Sequence, residues 1–174
     1  MSALEALRES LPDYAKDLKL NLQSLLGESS LSVPQRFGVA LASAAAARQP
    51  VLVKAMKAEA LAQAGPETVE DALAASAIMG MTNIFYRFRH LVGKESYTQL
   101  PARLRMNRVA RPAGPKVDFE LFCLAVSAIN ACEACVRAHE KTGLEAGLSE
   151  AQIHDAVRLA ATVHGVAVVL DGLD

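Results

Sequence analysis

Three side chains that can carry redox chemistry lie in one short stretch of the chain. Cys132 and Cys135 are three residues apart, and His139 follows four residues after Cys135. On a helix, residues three, four and seven apart lie on one face, so all three would share a face. The Cys-x-x-Cys spacing permits a disulfide within one turn, and an imidazole beside Cys135 can take its proton.

The position of the cysteines on their helix affects their reactivity. Asn130 is the predicted N-cap, which would make Cys132 the second and Glu133 the third helical residue. The N-terminal amides and the helix macrodipole would then favour a thiolate at Cys132, and less so at Cys135.

Glu120 can reach this face only if the chain turns back. On one continuous helix, Glu120 and Cys132 would lie roughly 18 Å apart at a rise of ~1.5 Å per residue. A reversal near Asn130 would give an antiparallel hairpin, with Glu120 ten residues before it and His139 nine residues after it. The carboxylate could then orient the imidazole or couple to its protonation.

Other readings of these residues stay open. Cys132, Cys135 and His139 could be three zinc ligands, although a fourth is not evident nearby. Glu120 could be a solvated carboxylate at a helix start. Cys123 lies in an apolar run and is predicted to be a buried small side chain. The remaining histidines are predicted to be structural or solvated: His90, His154 and His164.

The composition excludes several other classes of protein. The chain has 174 residues, 52% hydrophobic and 21% charged, with a net charge of -1. That balance argues against nucleic-acid binding through bulk positive charge. The three cysteines are an odd number, against a secreted disulfide framework. The N-terminus lacks the apolar core of a signal peptide, and the apolar tracts are far shorter than the ~20 residues of a membrane span.

Nearly every segment of the chain has a helical pattern. Apolar periodicity, capping boxes at Ser32 and Ser149, and Gly and Pro positions define the helices. No stretch alternates with period two, so no sheet is expected. We predict one all-α, cytoplasmic domain over residues 1–174, with short elements and loop at 94–115. The predicted helices are 11–26, 33–48, 51–64, 66–88, 118–129, 130–142 and 150–170.

A second stretch of the chain resembles the end of the 118–129 helix. Residues 76–79 read Ser-Ala-Ile-Met and residues 127–130 read Ser-Ala-Ile-Asn. This similarity indicates a possible internal duplication, in which Met81 and Ile84 stand where the two cysteines stand. The apolar cluster of Met79, Met81, Ile84 and Phe85 is predicted to be core or a subunit interface.

The spacing of Glu120, Cys132, Cys135 and His139 follows the pattern Glu-x11-Cys-x2-Cys-x3-His. In this it closely resembles the alkyl hydroperoxidase D (AhpD) family, in the superfamily that includes carboxymuconolactone decarboxylase. The resemblance runs from about Leu11 to Leu170. It includes the stretches 11–17, 41–46, 77–81 and 127–130.

The resemblance implies an all-helical bundle, commonly a trimer, with thiol-dependent peroxidase activity. Such proteins take reducing equivalents from dihydrolipoamide on an acyltransferase subunit and pass them to the peroxiredoxin AhpC. By this resemblance Cys135 reacts with peroxide and becomes a sulfenic acid. Cys132 supplies a proton, resolves the sulfenate into a Cys132–Cys135 disulfide and forms the mixed disulfide with AhpC. Glu120 and His139 form the proton relay, and no bound cofactor or metal is expected.

One position departs from the family pattern. The family has a His immediately before the second cysteine, and here that position is Ala134. Direct peroxide reduction is therefore expected to be weaker than disulfide exchange. An electron-transfer adaptor with little peroxidase activity is the main alternative, followed by a decarboxylase or lactone-binding enzyme and a zinc module.

Overall fold

The computed structural model describes residues 1–173. Within them the chain forms ten α-helices and one 3₁₀ helix (Asp13–Ala15), with no strand, as predicted. The α-helices are α1 (Ala3–Glu9), α2 (Lys16–Gly27), α3 (Val33–Ala47), α4 (Pro50–Ala64), α5 (Pro66–Val92), α6 (Glu95–Gln99), α7 (Asn107–Ala110), α8 (Lys116–Ile129), α9 (Glu133–Glu145) and α10 (Glu150–Asp171).

Helix α3 lies at the centre of the bundle and contacts α4, α5, α8 and α10. Its middle is made of small apolar residues, which let neighbouring helices approach closely. The fully buried members are Val39, Ala40, Leu41, Ala42 and Ala44. Gly38 contributes to the same packing, because the Phe122 ring of α8 occupies the space that a β-carbon would fill.

Several predicted boundaries are confirmed. Both predicted capping boxes form, with Ser32 and Gln35 starting α3 and Ser149 and Gln152 starting α10. Gly65 ends α4 with a positive φ of 87°. The 11–26 segment is not one helix, because a 3₁₀ turn precedes α2.

Asp118 is not the N-cap that the sequence predicted. Helix α8 begins two residues earlier, after Pro115, and has no side-chain cap. The Asp118 carboxylate instead accepts a hydrogen bond from Gln35 Nε2 of α3 at 2.8 Å. Tertiary contact between α3 and α8 therefore takes the side chain that a local cap would have used.

The predicted bounds of the next helix are also wrong. Asn130 ends α8, and Cys132 is the N-cap of α9. The helix continues through Gly143, where a β-carbon would press against Leu148. The chain turns instead at Gly147, which has a positive φ of 100°.

One buried carboxylate on α5 holds the second half of the 94–115 segment. Asp71 is 2% exposed and accepts hydrogen bonds from the backbone N–H groups of Ala113 and Gly114, at 2.8 and 2.7 Å. Arg108 of α7 donates to the same carboxylate at 2.9 Å. These bonds hold α7 against the bundle near the cysteines.

By length and composition, α10 is the one described helix that could span a membrane. Its apolar face is already used inside the fold. Residues including Leu159, Val163 and Val166 are fully buried, and the helix contacts α2, α3 and α8. We interpret α10 as a core helix.

The two similar stretches lie in different local structures. Residues 76–79 are in the middle of α5, which continues unbroken through Met81 and Ile84. Residues 127–130 end α8. Met79 is buried, whereas Met81 and Ile84 are exposed on the surface of the single chain.

Candidate active site

The two cysteines lie at the beginning of α9 and are joined in a disulfide. Cys132 is the N-cap and Cys135 the third helical residue, with their Cα atoms 5.3 Å apart. Cys132 is fully buried and Cys135 is 6% exposed. The sequence placed Cys132 inside the helix, but the later helix start brings Cys135 into the first turn. Both sulfurs therefore lie at the N-terminal end of α9, where the free backbone amides favour a thiolate when the pair is reduced.

Glu120 and His139 meet across the hairpin that the sequence predicted. His139 Nδ1 lies 2.7 Å from Glu120 Oε2. Because a carboxylate only accepts hydrogen bonds, Nδ1 carries the proton and Nε2 is left for proton exchange. Glu120 is buried on α8 and His139 is largely buried on α9, so water weakens this contact little.

A cavity of about 270 Å³ opens beside the dithiol. Cys135 and His139 lie on its wall, and Ala134 is next to them, so the position that departs from the family pattern faces the same space. The other lining residues come from α5, from the start and middle of α7, and from α9: Met79, Thr82, Tyr86, Met106, Val109 and Ala138. The wall is mainly apolar, as a site for an organic molecule would be.

The turn before Cys132 is held by polar side chains of α5 that the sequence analysis missed. Asn83 is fully buried and bonds both Ser127 and Asn130, and Arg87 donates to the Asn130 carbonyl. The available signal was an asparagine in the apolar middle of α5, where an unpaired amide would be costly. Its partners lie more than forty residues away and depend on how the helices pack.

The other cysteine and histidines lie as expected. Cys123 is buried and unpaired, and burial, aided by the nearby Glu120 charge, raises the pKa of its thiol well above the usual range. His90, His154 and His164 are exposed and do not line the cavity. His90 Nε2 lies 3.2 Å from a Glu133 carboxylate oxygen on the surface.

Within residues 1–173, no three His, Cys, Asp or Glu side chains are arranged to hold a metal ion. The cysteine sulfurs bond each other, and the His139 ring bonds a carboxylate through Nδ1. A helical bundle with a Cys-x-x-Cys pair beside a His–Glu pair and an apolar cavity defines a class of dithiol redox protein.

Comparison with known proteins narrows this class. The carboxymuconolactone decarboxylase family matches residues 95–174. The chain is 58% identical over 171 residues to alkyl hydroperoxide reductase AhpD of Anaeromyxobacter dehalogenans (strain 2CP-C), covering 98% of this chain and 92% of that protein. The protein of the same name from Gluconacetobacter diazotrophicus is 53% identical, over 98% of this chain and 93% of its own length. The one from Maricaulis maris is 50% identical, over 97% of each chain. The chain belongs to the AhpD family, within the AhpD and carboxymuconolactone decarboxylase superfamily.

Proposed function

We propose that this protein is a lipoyl-dependent alkyl hydroperoxide reductase that also reduces the disulfide of the peroxiredoxin AhpC. One observation carries the proposal: Cys135 lines an apolar cavity together with His139, whose Nδ1 is hydrogen-bonded to Glu120. The names of the relatives support the peroxide-reducing activity. The lipoyl donor and AhpC come from the family resemblance.

In the first step, His139 takes the proton of the Cys135 thiol. The thiolate sulfur attacks the terminal oxygen of the hydroperoxide, and the O–O bond breaks. The alkoxide leaves and takes the proton from His139, which gives an alcohol and a Cys135 sulfenic acid. Glu120 stabilises the imidazolium that exists between the two proton transfers.

In the second step, Cys132 gives its proton to His139 and attacks the Cys135 sulfur. The sulfenic hydroxide leaves with that proton as water, and the Cys132–Cys135 disulfide forms. Hydroperoxide and two thiols have then become alcohol, water and one disulfide. Dihydrolipoamide returns the disulfide to two thiols and is itself oxidised to lipoamide.

Exchange with a partner starts most readily at the accessible sulfur. Cys132 is fully buried, whereas Cys135 lines the cavity. The family resemblance implies that Cys132 forms the mixed disulfide with AhpC. Because Cys132 has the smaller exposed fraction, 0% against 6% for Cys135, we propose Cys135 for this step instead. Cys132 then resolves that bond, as it resolves the sulfenic acid.

The proposal includes a cytoplasmic homotrimer. Four apolar side chains of α5 and one beyond it line an open surface depression: Met81, Ile84, Phe85, Phe88 and Leu104. Exposed apolar patches of this kind mark protein interfaces. Light scattering should give three times the chain mass of 18.5 kDa, and Ile84→Glu should yield a smaller species.

A turnover assay with an alkyl hydroperoxide and dihydrolipoamide tests the proposal, run with and without AhpC. We expect peroxide consumption without AhpC and a faster rate with it. A rate above background only with AhpC would identify an electron-transfer adaptor with little peroxidase activity of its own. No turnover in either case would contradict both functions.

Two cheaper measurements accompany the assay. Mass spectrometry after mild oxidation should show two hydrogens lost within the peptide holding Cys132 and Cys135. A bridge to Cys123, or none, would contradict the dithiol cycle. Metal analysis of the purified protein separates the redox site from a zinc site on the same residues.

A further inference from the structure

A buried polar cluster links α5 to the turn that carries Cys132. Asn83 is fully buried, and its Nδ2 donates to Ser127 Oγ at 3.0 Å. Its Oδ1 accepts from Asn130 Nδ2, also at 3.0 Å. Both polar atoms of the Asn83 amide are therefore paired, the nitrogen to Ser127 in the last turn of α8 and the oxygen to Asn130, which ends α8. Arg87, one turn further along α5, donates to the Asn130 carbonyl.

The turn that these contacts hold is not a conformation that the chain favours by itself. Ala131 has a positive φ of 53°, in the left-handed region that residues with a β-carbon rarely adopt. The Cys132 N–H then donates to the Ser127 carbonyl at 3.1 Å. A backbone in such a state persists where its surroundings hold it. Here the surroundings are the Asn83 side chain, which accepts from Asn130 Nδ2, and the Arg87 side chain, which donates to the Asn130 carbonyl.

We propose that Asn83 and Arg87 are positioning residues of the dithiol, an inference that rests on the proposed function. By holding the 130–132 turn, they keep Cys132 where its sulfur can bond to Cys135. Neither residue acts on the peroxide itself. Their effect is on how readily the disulfide closes.

The expected effect follows from the entropy of the reduced protein. With the cluster intact, the turn is restrained even when the sulfurs are not bonded. Without it the reduced turn gains freedom, which closure of the disulfide must then remove. The measured reaction converts two protein thiols and one oxidised glutathione into the protein disulfide and two reduced glutathiones. We expect this reaction to become less favourable. Its equilibrium constant measures this effect without peroxide, lipoamide or AhpC.

The experiment equilibrates the purified full chain in glutathione buffers and measures the disulfide fraction by thiol alkylation. We expect Asn83→Ala and Arg87→Met each to lower the equilibrium constant about tenfold. This corresponds to a reduction potential of the protein disulfide that is about 30 mV less negative. Arg87→Lys keeps a cationic donor and should restore much of the loss. Arg87 is partly exposed, so its variants decide the question if Asn83→Ala does not fold.

A matched control separates positioning from a general loss of stability. Leu52→Ala removes a fully buried side chain of α4, away from the turn, and should lower the melting temperature without changing the glutathione equilibrium. Unchanged equilibrium constants in foldable Asn83 and Arg87 variants, or an equal shift in Leu52→Ala, would overturn the inference. Absence of the disulfide in the wild-type protein would instead contradict the proposed function.

Discussion

At the scale of single residues, the proposed chemistry depends on how His139 is held. Its Nδ1 meets Glu120 at 2.7 Å, while the ring lines the same cavity as Cys135. His154 and His164 are exposed on α10 and do not line that cavity. Of the four histidines, His139 alone lines the cavity together with Cys135, and we propose it as the group that exchanges a proton with the dithiol.

We predict that His139→Gln slows peroxide reduction by about 10²–10⁴-fold, the usual effect of losing a general base. Glutamine keeps a polar side chain but cannot take the thiol proton. Peroxide turnover under saturating reductant measures the change. His154→Gln and His164→Gln serve as controls and should retain nearly wild-type rates, so comparable losses at all three positions would contradict the assignment.

The second prediction at this scale concerns Ala134. It lies on the cavity wall beside Cys135 and His139, where its methyl side chain cannot help His139 to protonate the leaving alkoxide. Peroxide reduction needs that proton, whereas thiol–disulfide exchange mainly needs a thiolate and an accessible sulfur. Ala134→His should therefore raise the peroxidase rate and leave the exchange rate with AhpC or lipoamide nearly unchanged.

Both rates are measured in both proteins. An unchanged peroxidase rate would mean that another group already supplies the proton. A parallel rise in both rates would mean that the substitution acts on thiolate formation, against the separation of the two steps proposed here.

At the scale of helices, the site depends on the close approach of α3 and α8. Helix α8 carries Glu120, and every residue from Phe119 to Ser127 is buried. Gly38 of α3 lets the Phe122 ring lie directly against the α3 backbone. The position of Glu120 relative to α9 therefore rests on packing at the opposite face of α8.

We predict that Gly38→Ala lowers the free energy of unfolding by about 1–3 kcal/mol, the usual cost of overpacking. The new β-carbon would overlap the Phe122 ring. Chemical denaturation measures the change. Gly80→Ala in α5 is the matched control, because no atom lies within 4 Å of its added carbon. It should be neutral or stabilise by up to about 1 kcal/mol, and equal losses in both variants would contradict the packing argument.

At the scale of the whole molecule, we expect one partly buried carboxylate to make stability depend on pH. Burial raises the pKa of Asp118, with a further contribution from the Asp71 charge, while the hydrogen bond from Gln35 acts in the opposite direction. Because the pKa of Asp118 is higher in the folded protein than in the unfolded chain, the stabilising contribution of its protonated form is complete at pH values below the unfolded pKa. It is lost as pH rises through the folded pKa.

We therefore predict that Asp118→Asn increases the free energy of unfolding at pH 7. The amide oxygen can still accept from Gln35, and no charge remains to be desolvated. The difference from wild type should shrink as the pH falls to about 4 and below. Denaturation at several pH values tests this, and an equal difference at pH 4 and pH 7 would point to packing instead of charge.

The sequence by itself determined the helical class, most helix positions and the four residues of the candidate site. Helix periodicity and capping are local properties, and the number of residues on each side of Asn130 was enough to pair Glu120 with His139. Tertiary structure decided what local signals could not. Asp118 and Asn130 are good caps by type, but packing places Gln35 and Asn83 within hydrogen-bond reach, so their side chains bond across helices. The start of α9 and the burial of Cys132 likewise depend on how residues distant in the chain pack together.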